Sequence, residues 1–130
     1  MDRMEHVRAL RANVEVHYNC CQSVLVPFAK EMGMTEEQAY ALGAHFGSGM
    51  RHGSACGAFT GALMVLGSLG YNEVQAQALI RQFREAHGST TCAELLKASH
   101  DRGIARKPHC DGLVFEMVET LERILADNAN

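Results

Sequence analysis

The sequence predicts an all-α protein, a compact single-domain bundle of about six to seven short helices over residues 1–130. Three observations predict it. Nearly every segment carries its apolar residues at helical spacing, and none alternates apolar and polar residues as a strand does. Cap residues and glycine stops recur at intervals of one short helix. The composition, 47% hydrophobic and 21% charged, is that of a globular chain long enough to bury a core.

The elements follow in order. Val7, Leu10, Val14 and Tyr18 form an i, i+3, i+4 stripe on a first helix. Asn19 is placed to cap the segment "NCCQSVLVPFAKEM", Pro27 predicts a kink or break inside it, and Gly33 stops it. Thr35 with Gln38 is a capping-box signature, and Glu36 and Glu37 suit a first turn. That helix runs into "FGSGMRHGS", the one clearly irregular stretch. Ser54 then caps an apolar helix that Gly70 stops. Asn72 caps "EVQAQALIRQFREAH", which Gly88 ends, and Thr91 with Glu94 reads as another capping box. After the polar break "HDRGIARKPH", a last helix runs from about His109 to Asp127, with Leu113, Met117, Val118, Leu121 and Leu125 on one face.

Composition also excludes functions. A net charge of −3 and a pI near 6.1 leave no footprint for a polyanion, which argues against nucleic acid as a partner. The most apolar run, Ala55 to Tyr71, falls short of the roughly 20 residues a membrane span needs, so no membrane insertion is expected. The charged N-terminal helix is no secretory signal, and a cytoplasmic location is the expectation. No G-x-S-x-G elbow, H-E-x-x-H or phosphate loop supports hydrolase or nucleotide chemistry.

Five cysteines in such a chain point instead to redox work or metal binding. Four of them share a placement. Cys20 follows the Asn19 cap, Cys56 lies in the first turn after Ser54, Cys92 follows Thr91, and Cys110 opens the last helix. Helix N-termini favour negative charge and lower a thiol pKa. The spacings of 36, 36 and 18 positions contain no C-x-x-C pair, so any shared site must be assembled by tertiary folding. Cys21 would point about 100° away from Cys20 and is the bystander. His17, His52 and His109 lie near these thiols in sequence, and His52 is the best of them as an added metal ligand. Gly57 and Gly61, with Ala58 and Ala62, put a small-residue strip beside Cys56 that suits close approach of another helix.

With these residues assembled, the chain resembles the C_GCAxxG_C_C family, small bacterial and archaeal proteins named for redox activity. "YNCCQSVL" resembles its N-C-A-Q segment and "GMRHGSACGAFTGALMVLG" its C-G-A-x-x-G core. "FREAHGSTTCAELL" resembles its F-x-x-x-x-G-x-x-x-C-x-x-L-L element, and Cys110 supplies the last cysteine. The resemblance implies Cys20, Cys56, Cys92 and Cys110 as the family's four cysteines. Related domains occur in larger electron-transfer proteins, which implies an iron–sulfur cluster or another thiolate-bound metal as cofactor.

Three functional readings are therefore open. The first is a redox or electron-transfer protein whose four cysteines hold such a metal or cluster and which serves a redox partner protein. The second is metal-free thiol–disulfide chemistry with Cys56 as nucleophile, chosen because the glycines around it leave it accessible. The third is a non-catalytic helical module that forms a homodimer through the Gly57/Gly61 face.

Overall fold

The computed structural model describes residues 2–128 and is built from seven α-helices: α1 Arg3–Ala12, α2 Cys20–Leu25, α3 Glu36–Leu42, α4 Gly57–Ser68, α5 Glu73–His87, α6 Cys92–Asp101 and α7 Arg106–Asp127. A 3-10 turn, Val26–Phe28, continues α2 and holds Pro27, the break that the sequence predicts there.

Local chemistry sets the ends. Asn19 and Gln22 form a reciprocal capping box at α2, as do Thr35 and Gln38 at α3 and Asn72 and Gln75 at α5. Gly33, Gly70 and Gly88 take positive φ at chain reversals, where a side chain would be strained. The helices then pack by their apolar faces. α4 lies against both α2 and α7, and α1 closes over α2 and α7. Their shared interior contains Val24, Leu25, Ala62, Val65, Val118 and Leu121, all buried.

Helices α2 and α4 approach each other closely, and glycine permits it. A Cβ on Gly57 would stand 2.8 Å from the carbonyl oxygen of Phe46 and 3.2 Å from Cβ of Cys20. One on Gly61 would stand 3.0 Å from Cβ of Val24. The small-residue strip thus receives a helix of the same chain. It is buried by α2 and is not free to form the homodimer face expected from sequence.

Four other expectations need correction. Val14 lies beyond the end of α1 and is 96% exposed, because Asn13 caps that helix and its side chain turns the chain by accepting from the Glu15 and Val16 N–H groups. Ser54 does not cap α4; Cys56 occupies the cap position itself. The Thr91/Glu94 box is replaced by Ser89, whose hydroxyl donates to Glu94 and accepts the Thr91 N–H. Helix α7 begins at Arg106, so Cys110 is its fifth residue and not its opening one. Pro108 falls within the first four residues of α7, where an N–H has no intrahelical partner to lose, and so it does not delay the helix.

Candidate functional site

The irregular stretch before α4 is a short left-handed turn. Ser48, Gly49, Met50 and Arg51 all have positive φ, at 53°, 62°, 56° and 67°. Three of the four carry side chains, and each such residue in this region costs roughly 1–2 kcal/mol. Strain of this kind persists only where the surroundings enforce it. Here they do so with hydrogen bonds: Ser54 N–H donates to Gly49 at 2.8 Å, Arg51 Nε to His45 Nδ1 at 3.0 Å, and Arg106 Nη2 to Ser48 Oγ at 2.9 Å.

Beyond the turn, residues 54–56 lie antiparallel to residues 90–92 through a single bridge between Ala55 and Thr91. Cys56 N–H donates to Thr90 at 2.8 Å and Cys92 N–H to Ser54 at 2.6 Å. This bridge sets the cap of α4 beside the first residue of α6, and so brings Cys56 and Cys92 together. The glycine contact between α2 and α4 brings Cys20 to them. Helix α7, packed against α2, α4 and α6, adds Cys110.

All four cysteines line one inner cavity of about 30 Å³, with Ser48, Arg106 and His109 also in its wall. Cys20 and Cys110 in addition line an outer, open pocket of about 360 Å³, which Ser48 and Arg106 share with them. The pair therefore stands on the boundary between an enclosed space and solvent. Cys56 and Cys92 face only the inner side. Cys21 is fully buried in the core with its thiol 3.7 Å from Met64 Sδ, away from the cavity. Of the histidines, His109 reaches the inner cavity and His17 the outer pocket, while His52 sits exposed on the left-handed turn and lines neither.

Electrostatics separates the four thiols. Burial pushes Cys56 up to about 11, although the N–H groups of Phe59 and Ala58 at the start of α4 pull the other way. A helix terminus is worth about 0.3–1 kcal/mol, less than one pH unit, whereas burial here raises the thiol from 9.0 by about two. Burial wins. Cys56 is only 4% exposed, so it is neither the accessible nor the acidic thiol that the sequence suggested. Cys92 is also raised, first by burial and then by Cys110, with Arg106 opposing. Burial, then Arg102 and His87, lower the His109 pKa, which favours the neutral imidazole.

Cys20 and Cys110 act as a couple. The Cys20 thiol faces the Cys110 sulfur as donor, which lowers Cys110 and raises Cys20. Burial opposes ionisation of Cys110, while Arg106 and Arg11 support it, and the outcome is a pKa down at about 6. The two thiols titrate as a couple, and Arg106 and Arg11 favour its negative charge on Cys110. Arg11 is fixed in place by Asp111 at 2.7 Å and by the Tyr18 carbonyl at 2.8 Å. These cations were not singled out from sequence. For Arg106 the signal available was the run "ARKPHC", which places it four residues before the last cysteine; Arg11 reaches the site only through folding.

Although four sulfurs line the inner cavity, it has room for only about one or two water molecules. Among the described residues no three His, Cys, Asp or Glu side chains stand in a metal-holding group. As folded, the four thiols do not form a cage. Among the described residues no helix is long and apolar enough to cross a membrane.

Residues 18–124 match the model of a family described as "Putative redox-active protein (C_GCAxxG_C_C)". No curated protein and no solved structure matches the chain.

Proposed function

We propose, from the premise that the chain belongs to the C_GCAxxG_C_C family, that it is a thiol–disulfide redox protein in which Cys110 attacks and Cys20 resolves. One observation carries this reading: Cys20 and Cys110 alone among the cysteines line both the inner cavity and the open pocket. A thiolate is the attacking species in disulfide exchange, and a neighbouring thiol is needed to close the new bond. Cys110 satisfies the first requirement through its donor and its two arginines, and Cys20 the second. Cys56 and Cys92, raised and turned inward, are held in reserve behind them.

The chemistry balances without a metal. Cys110 Sγ attacks one sulfur of a disulfide RS–SR, forming Cys110–SR and releasing RS⁻. That thiolate takes the Cys20 proton and leaves as RSH. Cys20 Sγ then attacks Cys110 Sγ and expels the second RS⁻. The protein loses two electrons and the disulfide gains them.

An iron–sulfur centre or other metal held by Cys20, Cys56, Cys92 and Cys110 is the second reading, favoured by their convergence on one cavity. What weighs against it is that among the described residues no three His, Cys, Asp or Glu side chains stand in a metal-holding group, so the sulfurs would have to rearrange to bind a metal. Protein purified without oxygen discriminates the two. The thiol–disulfide reading expects colourless protein without stoichiometric iron or sulfide, in which low-excess iodoacetamide at pH 7 labels Cys110 first. A brown preparation with iron and inorganic sulfide overturns it.

A further inference from the structure

We infer that the outer pocket is a binding site for a small, carboxylate-bearing disulfide, held so that its sulfurs face the Cys20–Cys110 couple. This inference rests on the redox reading above and names the substrate class for it. The pocket's volume of about 360 Å³ suits a small molecule and not a folded protein surface. Its wall carries Arg11, Arg106, Lys107 and His17 beside Cys20 and Cys110, and among the described residues no Asp or Glu lines it. Asp111 lies outside the lining and bridges Arg11 to Lys107, at 2.7 and 3.0 Å, so that with the Cys110 thiolate counted the cations still leave an excess of one positive charge.

The cations are held in position. Arg11 has a side chain only 10% exposed and donates to Tyr18, Arg106 donates to Ser48, and Lys107 donates to the Arg11 carbonyl at 2.9 Å. Two of them occupy the first turn of α7, where the helix macrodipole is positive and cations are disfavoured. That helix also has no side-chain cap and no acid in its first turn. Positive charge assembled against its own field, around a cavity that ends at a thiolate, is suited to an anion. A carboxylate on the incoming disulfide would be drawn to these groups while Cys110 Sγ reaches the sulfur.

The test compares three disulfides of different charge at low salt: anionic oxidised glutathione, neutral 2-hydroxyethyl disulfide and cationic cystamine. Oxidation of wild-type protein is timed against each, normalised to a free dithiol under the same conditions. The expected result is a preference for oxidised glutathione over cystamine on the order of tenfold or more, which falls towards one in the Arg106→Gln/Lys107→Gln double variant and in high salt. Equal normalised rates, or a preference that survives the double variant, would overturn the pocket assignment while leaving the redox reading intact. A second measurement separates the two claims. Cys110→Ser protein, checked for fold by circular dichroism, should bind oxidised glutathione in titration calorimetry and lose that binding when Arg106 and Lys107 are also replaced. If it binds but wild-type protein is not oxidised by any of the three reagents, the redox reading fails and the anion site stands.

Discussion

A methyl group on Gly57 would stand 2.8 Å from the carbonyl oxygen of Phe46 and 3.2 Å from Cβ of Cys20, so the first residue of α4 controls how near α2 can come. The contact with Phe46 is to backbone and cannot be relieved by turning a side chain. Gly57→Ala is therefore expected to destabilise the fold by about 1–3 kcal/mol and to shift Cys20 relative to Cys56. Gly67→Ala, on the same helix with nothing within 4 Å of the added carbon, is the control. It should instead stabilise by up to about 1 kcal/mol. Urea denaturation of the two variants checks the pair, and equal effects would remove the steric argument.

The left-handed turn gives a second pair. Met50 has φ 56° and ψ 41°, a conformation that glycine adopts freely. Met50→Gly should be neutral or stabilising by up to about 1 kcal/mol, whereas most glycine substitutions destabilise. Gly49→Ala should do the reverse, since its Cβ would meet Ser54 N at 2.5 Å and Cβ of Cys92 at 2.7 Å in addition to the strain. Thermal denaturation of both, with alkylation of Cys92 in the second, measures the effect. A stabilised Gly49→Ala would contradict the geometry.

Reactivity should follow the couple. With its pKa down at about 6, Cys110 should be alkylated by iodoacetamide at a rate that is flat above about pH 7 and falls about tenfold per unit well below pH 6. Cys20→Ala removes the donor and should move the half-point up towards the ordinary 9.0, though Arg106 and Arg11 still hold it down. Cys20→Ser keeps a hydroxyl donor and should move it less. A half-point that Cys20→Ala leaves unchanged would assign the acidity to the arginines alone.

Two buried thiols make stability fall in alkali. Burial raises Cys56 to about 11 and Cys21 to about 12, from 9.0 in each case. Both stay protonated in the fold while the unfolded chain ionises above pH 9.0. Their contribution is complete below that pH and is lost as pH rises through 9 towards 11, by about 1.4 kcal/mol per unit for each thiol. Cys21→Ala should reduce that slope by one thiol's share, beside a separate pH-independent cost of the smaller side chain. Denaturant titrations between pH 8 and 11 measure it. An undiminished slope in the variant would mean that Cys21 titrates normally.

Much of this was legible in the chain because it was written locally. Asn19, Thr35 and Asn72 cap the helices that their side chains were placed to cap, and Gly33, Gly70 and Gly88 reverse the chain where the sequence placed stops. The strip at Gly57 and Gly61 announced a close helix contact, though only folding shows that α2 is the neighbour. What was illegible depends on tertiary placement. Left-handed backbone at Ser48, Met50 and Arg51 cannot be read from "GSGMRHG", because hydrogen bonds from elsewhere hold the turn in place. The choice between Cys56 and Cys110 likewise turns on burial against facing donors, and those donors come from α2 and α1, about 90 residues away. His109, not His52, reaches the cysteines because α7 begins earlier than its proline suggests.

The central claim is that Cys110 and Cys20 form the working pair. Disulfide mapping by mass spectrometry tests it most directly, on protein purified without oxygen, treated with one equivalent of a small disulfide at pH 7 and then alkylated. The account predicts a Cys20–Cys110 link as the first product, with Cys21, Cys56 and Cys92 recovered as alkylated thiols. A first link that joins Cys56 to Cys92, or that leaves Cys110 free, would contradict it.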